Sequence, residues 1–325
     1  MKLPRRKFLY LAAGFGLLTA GAMTAAAQQY PMKPVRLIVA FPPGGSGDII
    51  ARSIATQLSA RLGKQVIVDN RAGAAGVIAA ELVANAPRDG HTLLMGSLPL
   101  AVNPWLYKLP YDPTKSFAPV AILASGPNVL LVNPDLPVHS VKELIALAKQ
   151  SPGKLRWASG GVGGFQHVSG ELFGLLAGTK MLHIPFKGAG PALIDVIGGH
   201  TQLTFAALIA AAPHIRSGKL RALGTGGPTR SAVFPNVPTI EEAGVPGYAA
   251  TNWWGILTPA GTPAPVIARL HTEISAVQGA PDVEKQFANE GLELVRMSSA
   301  EFGAFFTKEM DKWERVVKES GIKAE

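Results

Sequence analysis

Phe41-Pro42-Pro43-Gly44-Gly45-Ser46-Gly47-Asp48 is the stretch on which the reading of this 325-residue chain turns. An apolar run over 35–41 leads into it and reads as a strand, and 48–61 follows as an amphipathic helix. Ala158-Ser159-Gly160-Gly161-Val162-Gly163-Gly164-Phe165-Gln166-His167 repeats the design, between a strand at 155–158 and a helix at 166–177. Glycine lets backbone N–H groups approach a ligand closely. A helix start adds unpaired N–H groups and the positive end of a dipole, so each loop predicts an anion site that needs no Arg or Lys. Asp48 is expected to cap its helix by accepting the early N–H groups.

Outward from these loops the same rhythm continues. Strands are predicted at 65–69, 92–95, 181–184, 202–205 and 221–225, with helices at 75–85, 140–150, 189–198 and 207–217. Alternation of this kind predicts an α/β fold with largely parallel strands, whose ligands sit beyond the strands' carboxyl ends. Ser140 with Glu143 and Ser298 with Glu301 spell capping boxes, and Thr262-Pro263 spells a helix start. Phe302, Phe305, Phe306, Met310, Trp313 and Val317 fall at helical spacing along a last helix, 298–320, and predict core packing. Two stretches look like crossings between domains: Ala124-Ser125-Gly126-Pro127, and the segment from Pro246-Gly247 to Thr251. A chain that leaves one domain and returns predicts two lobes on a two-stranded hinge. One is 28–126 plus 250–325, the other 127–249, with a ligand cleft between them.

Composition excludes several classes. Hydrophobic residues make up 47% and charged residues 16%, and Gly 36 with Pro 26 is too little for a disordered low-complexity chain. Zero cysteines remove disulfides, thiolate metal sites and cysteine nucleophiles. The net charge of +9 owes four units to Lys2, Arg5, Arg6 and Lys7, and the other cations are scattered, so nucleic acid is not an expected partner. That basic start, the apolar run from Phe8 to Met23 and Ala25-Ala26-Ala27 have the layout of an export signal over 1–27, cut near Ala27. Arg5-Arg6 also fits a twin-arginine leader.

Catalytic signatures are missing. Gly161-Val162-Gly163-Gly164 lacks the third glycine of a dinucleotide fingerprint, and Asp48 stands where a nucleophile elbow needs glycine. The seven histidines are widely spaced, so neither a metal nor a cofactor is expected. An exported hydrolase or phosphatase using Ser46 or Ser159 with His167 remains the alternative from another class, and a structural or adhesive exported protein is a third.

FPPGGSGDIIAR at 41–52, VDNRAGAAGVIAAELVANAPRDGHTLL at 68–94, HIPFKGAGPALIDVIGGH at 183–200, FPNVPTIEEAGVPGY at 234–248 and TPAGTPAPVIARL at 258–270 occur in this order. Together with NPWLYKLPYDP at 103–113 and KWERVVKESGIK at 312–323, they closely resemble the receptors of tripartite tricarboxylate transporters, the Bug receptors, over essentially the whole mature chain. The resemblance implies a type II periplasmic binding-protein fold, a monomer without enzymatic activity, a small carboxylate ligand, and delivery to a two-subunit membrane transporter or to a sensor. It implies that the carboxylate is held mainly by backbone N–H groups and ordered water. The implied ligand residues are Phe41, Gly44, Gly45, Ser46 and Asp48 from the first loop, and the run Ser159 through His167 from the second, foremost Ser159, Gly160, Gly161, Gly163, Gly164 and His167. Ser97, Phe186, Ala206 and Ala207 complete the set. Three departures stand out. Gly47 replaces a frequent hydroxyl residue, Phe186 replaces a common Tyr, and Ala206-Ala207 stand where many members place an Asp. Their loss predicts a less polar ligand tail and disfavours amino acids.

Overall fold

The computed structural model describes residues 30–323. Residues 1–27, expected to be an export signal, lie outside the described residues. Ten strands form one connected, mixed sheet in the order β2-β1-β3-β9-β4-β7-β5-β6, with β8 and β10 also pairing with β4. The strands are β1 (Val35–Val39), β2 (Val66–Asn70), β3 (Thr92–Ser97), β4 (Phe117–Val132), β5 (Arg156–Ser159), β6 (Leu182–Pro185), β7 (Leu203–Ala207), β8 (Arg221–Thr225), β9 (Thr251–Pro259) and β10 (Glu293–Leu294). The helices are α1 (Ser46–Leu62), α2 (Val77–Ala84), α3 (Leu98–Val102), α4 (Val141–Gln150), α5 (Phe165–Ala177), α6 (Ala189–Ile197), α7 (Leu208–Arg216), α8 (Ala264–Gln278), α9 (Pro281–Asn289) and α10 (Ser299–Ser320).

Parallel pairs flank the sheet, β1 with β2 and β3 on one side, β5 with β6 and β7 on the other. The centre is antiparallel, where β9 pairs with β3 and β4, and β4 pairs with β7 and β8. The flanks are where helices connect successive strands, as parallel neighbours require.

The stretch 124–127, expected as a link between two strands, is the middle of a single 16-residue strand. Through Pro127 that strand pairs with β9, and from Asn128 onward with β7. A proline fits here because the ladder changes hands: the Asn128 N–H already reaches the Ala250 carbonyl at 3.2 Å.

Local signals explain the main elements. Ile50, Ile54, Leu58 and Leu62 give α1 a buried stripe, and Gly63 ends it in a left-handed turn at φ 67°. Ser298 forms the expected capping box, whereas Ser140 caps its helix but Glu143 turns back to the His139 N–H at 2.7 Å rather than to that of Ser140. Thr262 does not cap α8. Its hydroxyl donates to the Pro259 carbonyl at 2.8 Å, and Pro263 itself occupies the cap position, because the chain is still closing a tight turn there. The aromatic stripe of α10 is core: Phe302, Phe306, Met310, Trp313 and Val317 are buried, and Phe302, Phe305 and Phe306 meet Trp253 edge-on. Gly255 of β9 sits beside Gly96 of β3 and beneath the Phe302 ring.

A Cβ at Gly255 would collide with that ring and stand 3.2 Å from the Ala121 carbonyl oxygen. Gly255→Ala is therefore expected to cost about 1–3 kcal/mol of stability, read by urea denaturation. A variant as stable as the parent would show that α10 can shift freely on the sheet.

Candidate functional site

The loop after β1 is knotted around Asp48. Its carboxylate accepts the Gly44 N–H at 3.0 Å, the Asn70 amide at 3.0 Å and the Arg52 guanidinium at 3.0 Å. The same Asn70 amide holds the Phe41 carbonyl at 2.9 Å. Burial alone would raise the Asp48 pKa, but the bonds from Arg52, Gly44 and Asn70 outweigh it and hold the carboxyl below its usual range. Asp48 is thus the third residue of α1 rather than its cap. Gly45 takes the cap position without a side-chain bond, because the carboxylate reaches back past it to Gly44.

The loop after β5 is tied with equal thoroughness. Gly160 donates to Gln166 Oε1 at 2.6 Å, Gly161 to Ser159 Oγ at 3.1 Å, Gly163 to His167 Nδ1 at 3.1 Å and Gly164 to the Gly161 carbonyl at 3.2 Å. The sequence predicted that these glycine N–H groups face a ligand. All four are bound within the protein instead, since a short loop with buried donors must satisfy them.

Between the two loops lies a cleft of about 660 Å³, counting its open mouth. Of the predicted residues, Phe41, Gly45, Ser46, Ser97, Gly160, Gly164 and Ala207 line it. Gly44, Asp48, Ser159, Gly161, Gly163, His167, Phe186 and Ala206 do not, and several of these hold the lining residues from behind. Phe165 and Gln166, within the predicted stretch 159–167, line it too, whereas Pro42, Pro43, Gly47, Pro99, Ala189, Gly190, Ala210, Asn252 and Trp254 line it without having been predicted as ligand residues. Ala189 and Gly190 carried a helix-start signal; Asn252 and Trp254 carried none.

Among the described residues, no Asp, Glu, Lys, Arg or His lines the cleft. Four helices of nine or more residues begin on it instead: α1 at Ser46, α5 at Phe165, α6 at Ala189 and α7 just after Ala207. The first-turn N–H groups of a helix have no carbonyl partner within it, and each helix start carries about half a positive charge. Four such ends on one cavity without charged side chains give it a potential that favours an anion. The walls beyond are apolar: Phe41, Pro42, Pro43, Pro99, Phe165, Ala210 and Trp254. The sides of the cleft touch where the Tyr107 hydroxyl donates to the Val162 carbonyl at 2.9 Å, and where Gly188 lies against Pro42.

Behind the second loop, Ser159 Oγ lies 2.6 Å from His183 Nε2, and Ser159 is fully buried. The rings of His183 and His167 stack at 4.1 Å, and His167 also stacks on Trp157. Burial first, and then the neighbouring His167, push the His183 pKa down to about 3. Ser159 is thus paired with His183 and not with His167, and neither histidine lines the cleft. Among the described residues no group of three or more His, Asp or Glu is placed to hold a metal ion.

A family model described as "Tripartite tricarboxylate transporter family receptor" matches residues 50–322. The chain belongs to this family. Among solved structures similar to the receptor, that of Rpa4515 from R. palustris with adipate has a TM-score of 0.88 and 35% sequence identity, covering 90% of this chain and 99% of that one. The periplasmic binding protein BugD superposes with a TM-score of 0.87 at 30% identity, covering 91% and 100%. MatC from Rhodopseudomonas palustris, with bound malate, follows at 0.84 and 32%, covering 89% and 100%. The receptor therefore has the periplasmic binding-protein architecture expected from its sequence, and two of these related structures hold carboxylates, adipate and malate. No helix among its described residues is long and apolar enough to cross a membrane.

The histidine pair sets an acid limit on stability. His183 stays neutral in the folded protein down to about pH 3, whereas the unfolded chain takes up that proton near 6.5. The unfolded state then binds more protons between those values, so stability falls as pH falls through that window. Melting curves from pH 7 to 4.5 are expected to show this decline, and His183→Gln to flatten it. An unchanged slope in the variant would assign the decline to other groups.

Proposed function

We propose that this chain is an exported receptor of the periplasm that captures one small carboxylate and passes it to a membrane transporter. The observation that carries the reading is the uncharged cleft on which four helices begin. Such a cavity attracts an anion, gives a cation no partner, and leaves an apolar wall for the rest of the molecule. The adipate and malate held by related proteins are ligands of this class. Ala207 and Ala210 in the wall favour a tail without an ammonium group.

Residues 28–126 plus 250–325 act as one lobe and 127–249 as the other. They hinge where β4 and β9 run side by side at 126–128 and 250–252. The Tyr107–Val162 bond then closes the cleft over the ligand. The first 27 residues direct export and are removed near Ala27, and the mature receptor works as a monomer. Delivery to a sensor instead of a transporter would use the same cleft.

Calorimetry with a panel of small carboxylates and matched amines tests the reading, and native mass spectrometry of the purified protein looks for a retained acid. Binding of amines but of no carboxylate would refute it. Gly190 offers a clean variant, because a Cβ there points into open space. Gly190→Leu is expected to fill the cleft and abolish measurable binding, while stability changes by less than about 1 kcal/mol. Tyr107→Phe is expected to speed ligand release about 3- to 10-fold by stopped-flow, the worth of one hydrogen bond. An unaltered release rate would show that this contact does not hold the cleft closed.

A further inference from the structure

The helix starts explain attraction for one anionic group, but they do not use every polar atom that faces the cleft. Asn252, at the start of β9, is 4% exposed and lines the cavity. Its Oδ1 accepts two backbone N–H groups, from Leu98 at 3.1 Å and from Trp253 at 3.0 Å. Those two donors fix which end of the amide is oxygen. Nδ2 is left without a hydrogen-bond partner among the described residues. Ser97, at the end of β3, is 8% exposed and lines the same cavity. It stands at the cap position of α3, yet its hydroxyl makes no capping bond and has no other partner among the described residues. The ladder between β3 and β9 pairs Ser97 with Trp254, two residues along from Asn252, so both groups belong to one corner of the cleft. Buried amides and hydroxyls are ordinarily satisfied. These two have no protein partner, line one ligand cavity and stand on neighbouring strands, which marks a place where a ligand can supply the partner.

We propose that Asn252 Nδ2 and Ser97 Oγ form a second, uncharged subsite that selects carboxylates carrying a hydroxyl or carbonyl oxygen on their chain. The assignment rests on the carboxylate reading above and adds the nature of the tail. Nδ2 only donates, so its partner is an acceptor, and an ammonium group cannot bond to it. Ser97 both donates and accepts, so a ligand hydroxyl satisfies the pair by accepting from Asn252 and donating to Ser97. A second carboxylate is the poorer fit at this corner, because Asn252 Nδ2 and Ser97 Oγ offer it one amide donor and one hydroxyl and bring no positive charge. A site built to hydrogen-bond an oxygen discriminates strongly against the analogue that lacks it, since the site's own polar groups are then stranded.

The test uses three carbon skeletons, each as the plain acid, a hydroxy acid and the dicarboxylate. These are butanoate, 3-hydroxybutanoate and succinate; hexanoate, 6-hydroxyhexanoate and adipate; and benzoate, 4-hydroxybenzoate and terephthalate. Dissociation constants are measured by calorimetry on protein dialysed free of retained ligand. On at least one skeleton the hydroxy acid is expected to bind at least about tenfold more tightly than both of its counterparts. Asn252→Asp keeps the oxygen that caps Leu98 and Trp253 but exchanges the donor for a charged acceptor. It is expected to bring that ratio to within about threefold and to lower the affinity for every acid. Ser97→Ala removes only the hydroxyl and is expected to reduce the ratio with an unchanged melting temperature. Plain acids binding as well as hydroxy acids on every skeleton would overturn the subsite and leave the receptor reading intact. So would a dicarboxylate that outcompetes its hydroxy acid on every skeleton, or a ratio that survives both substitutions. Failure of all nine acids to bind would instead strike the carboxylate reading itself.

Discussion

The whole arrangement depends on the antiparallel pairing of β4 with β9. From 117 to 127 the long strand lies against β9, and from 128 to 132 it lies against β7 and β8. A strand that changes partners partway joins two sets of strands through continuous backbone. It keeps both halves of the sheet in one hydrogen-bonded ladder, and it brings the carboxyl ends of β1, β5, β6 and β7 toward a common cavity. Helices that follow those strands must then begin there. The cleft's electrostatics are in that sense a product of topology: any chain wound this way points its helix starts at the same place.

Side chains around the cavity have a different task. Asp48, Gln166 and His167 spend their polar atoms on loop glycines, and none of them carries charge into the cleft. Arg52 balances Asp48 from the outer side. The result is a wall whose shape is fixed before a ligand arrives, with attraction coming from oriented peptide dipoles that need no reorganisation. A Lys or Arg in the same place would be a stronger point charge, but also a longer, more mobile and more strongly hydrated one.

Much of this was legible in the sequence, for a local reason. Glycine-rich turns between a strand and a helix announce themselves within ten residues, and so did the α/β rhythm, the capping boxes and the aromatic stripe of α10. What the sequence hid depends on who meets whom across the fold. Asn252 and Trp254 lie on β9, over 150 residues from Ser97, and nothing near them signals a ligand. The loop glycines misled in the opposite direction. Their N–H groups looked available, but Gln166, His167 and Ser159 were close enough in sequence to take them. His183 gave no sign that it would stack on His167, because β6 reaches that position only through its parallel pairing with β5.

Peptide dipoles cannot be mutated away. Replacing a residue at a helix start changes its side chain and leaves the N–H group in place. In a cavity whose pull on an anion comes from main chain, inheritance can therefore rewrite the wall freely: Ala207, Ala210, Phe165 and Pro99 are all open to exchange without loss of the anchor. A lineage with such a scaffold can be readdressed from one acid to another by a single codon, and a duplicated gene keeps a working grip throughout the change.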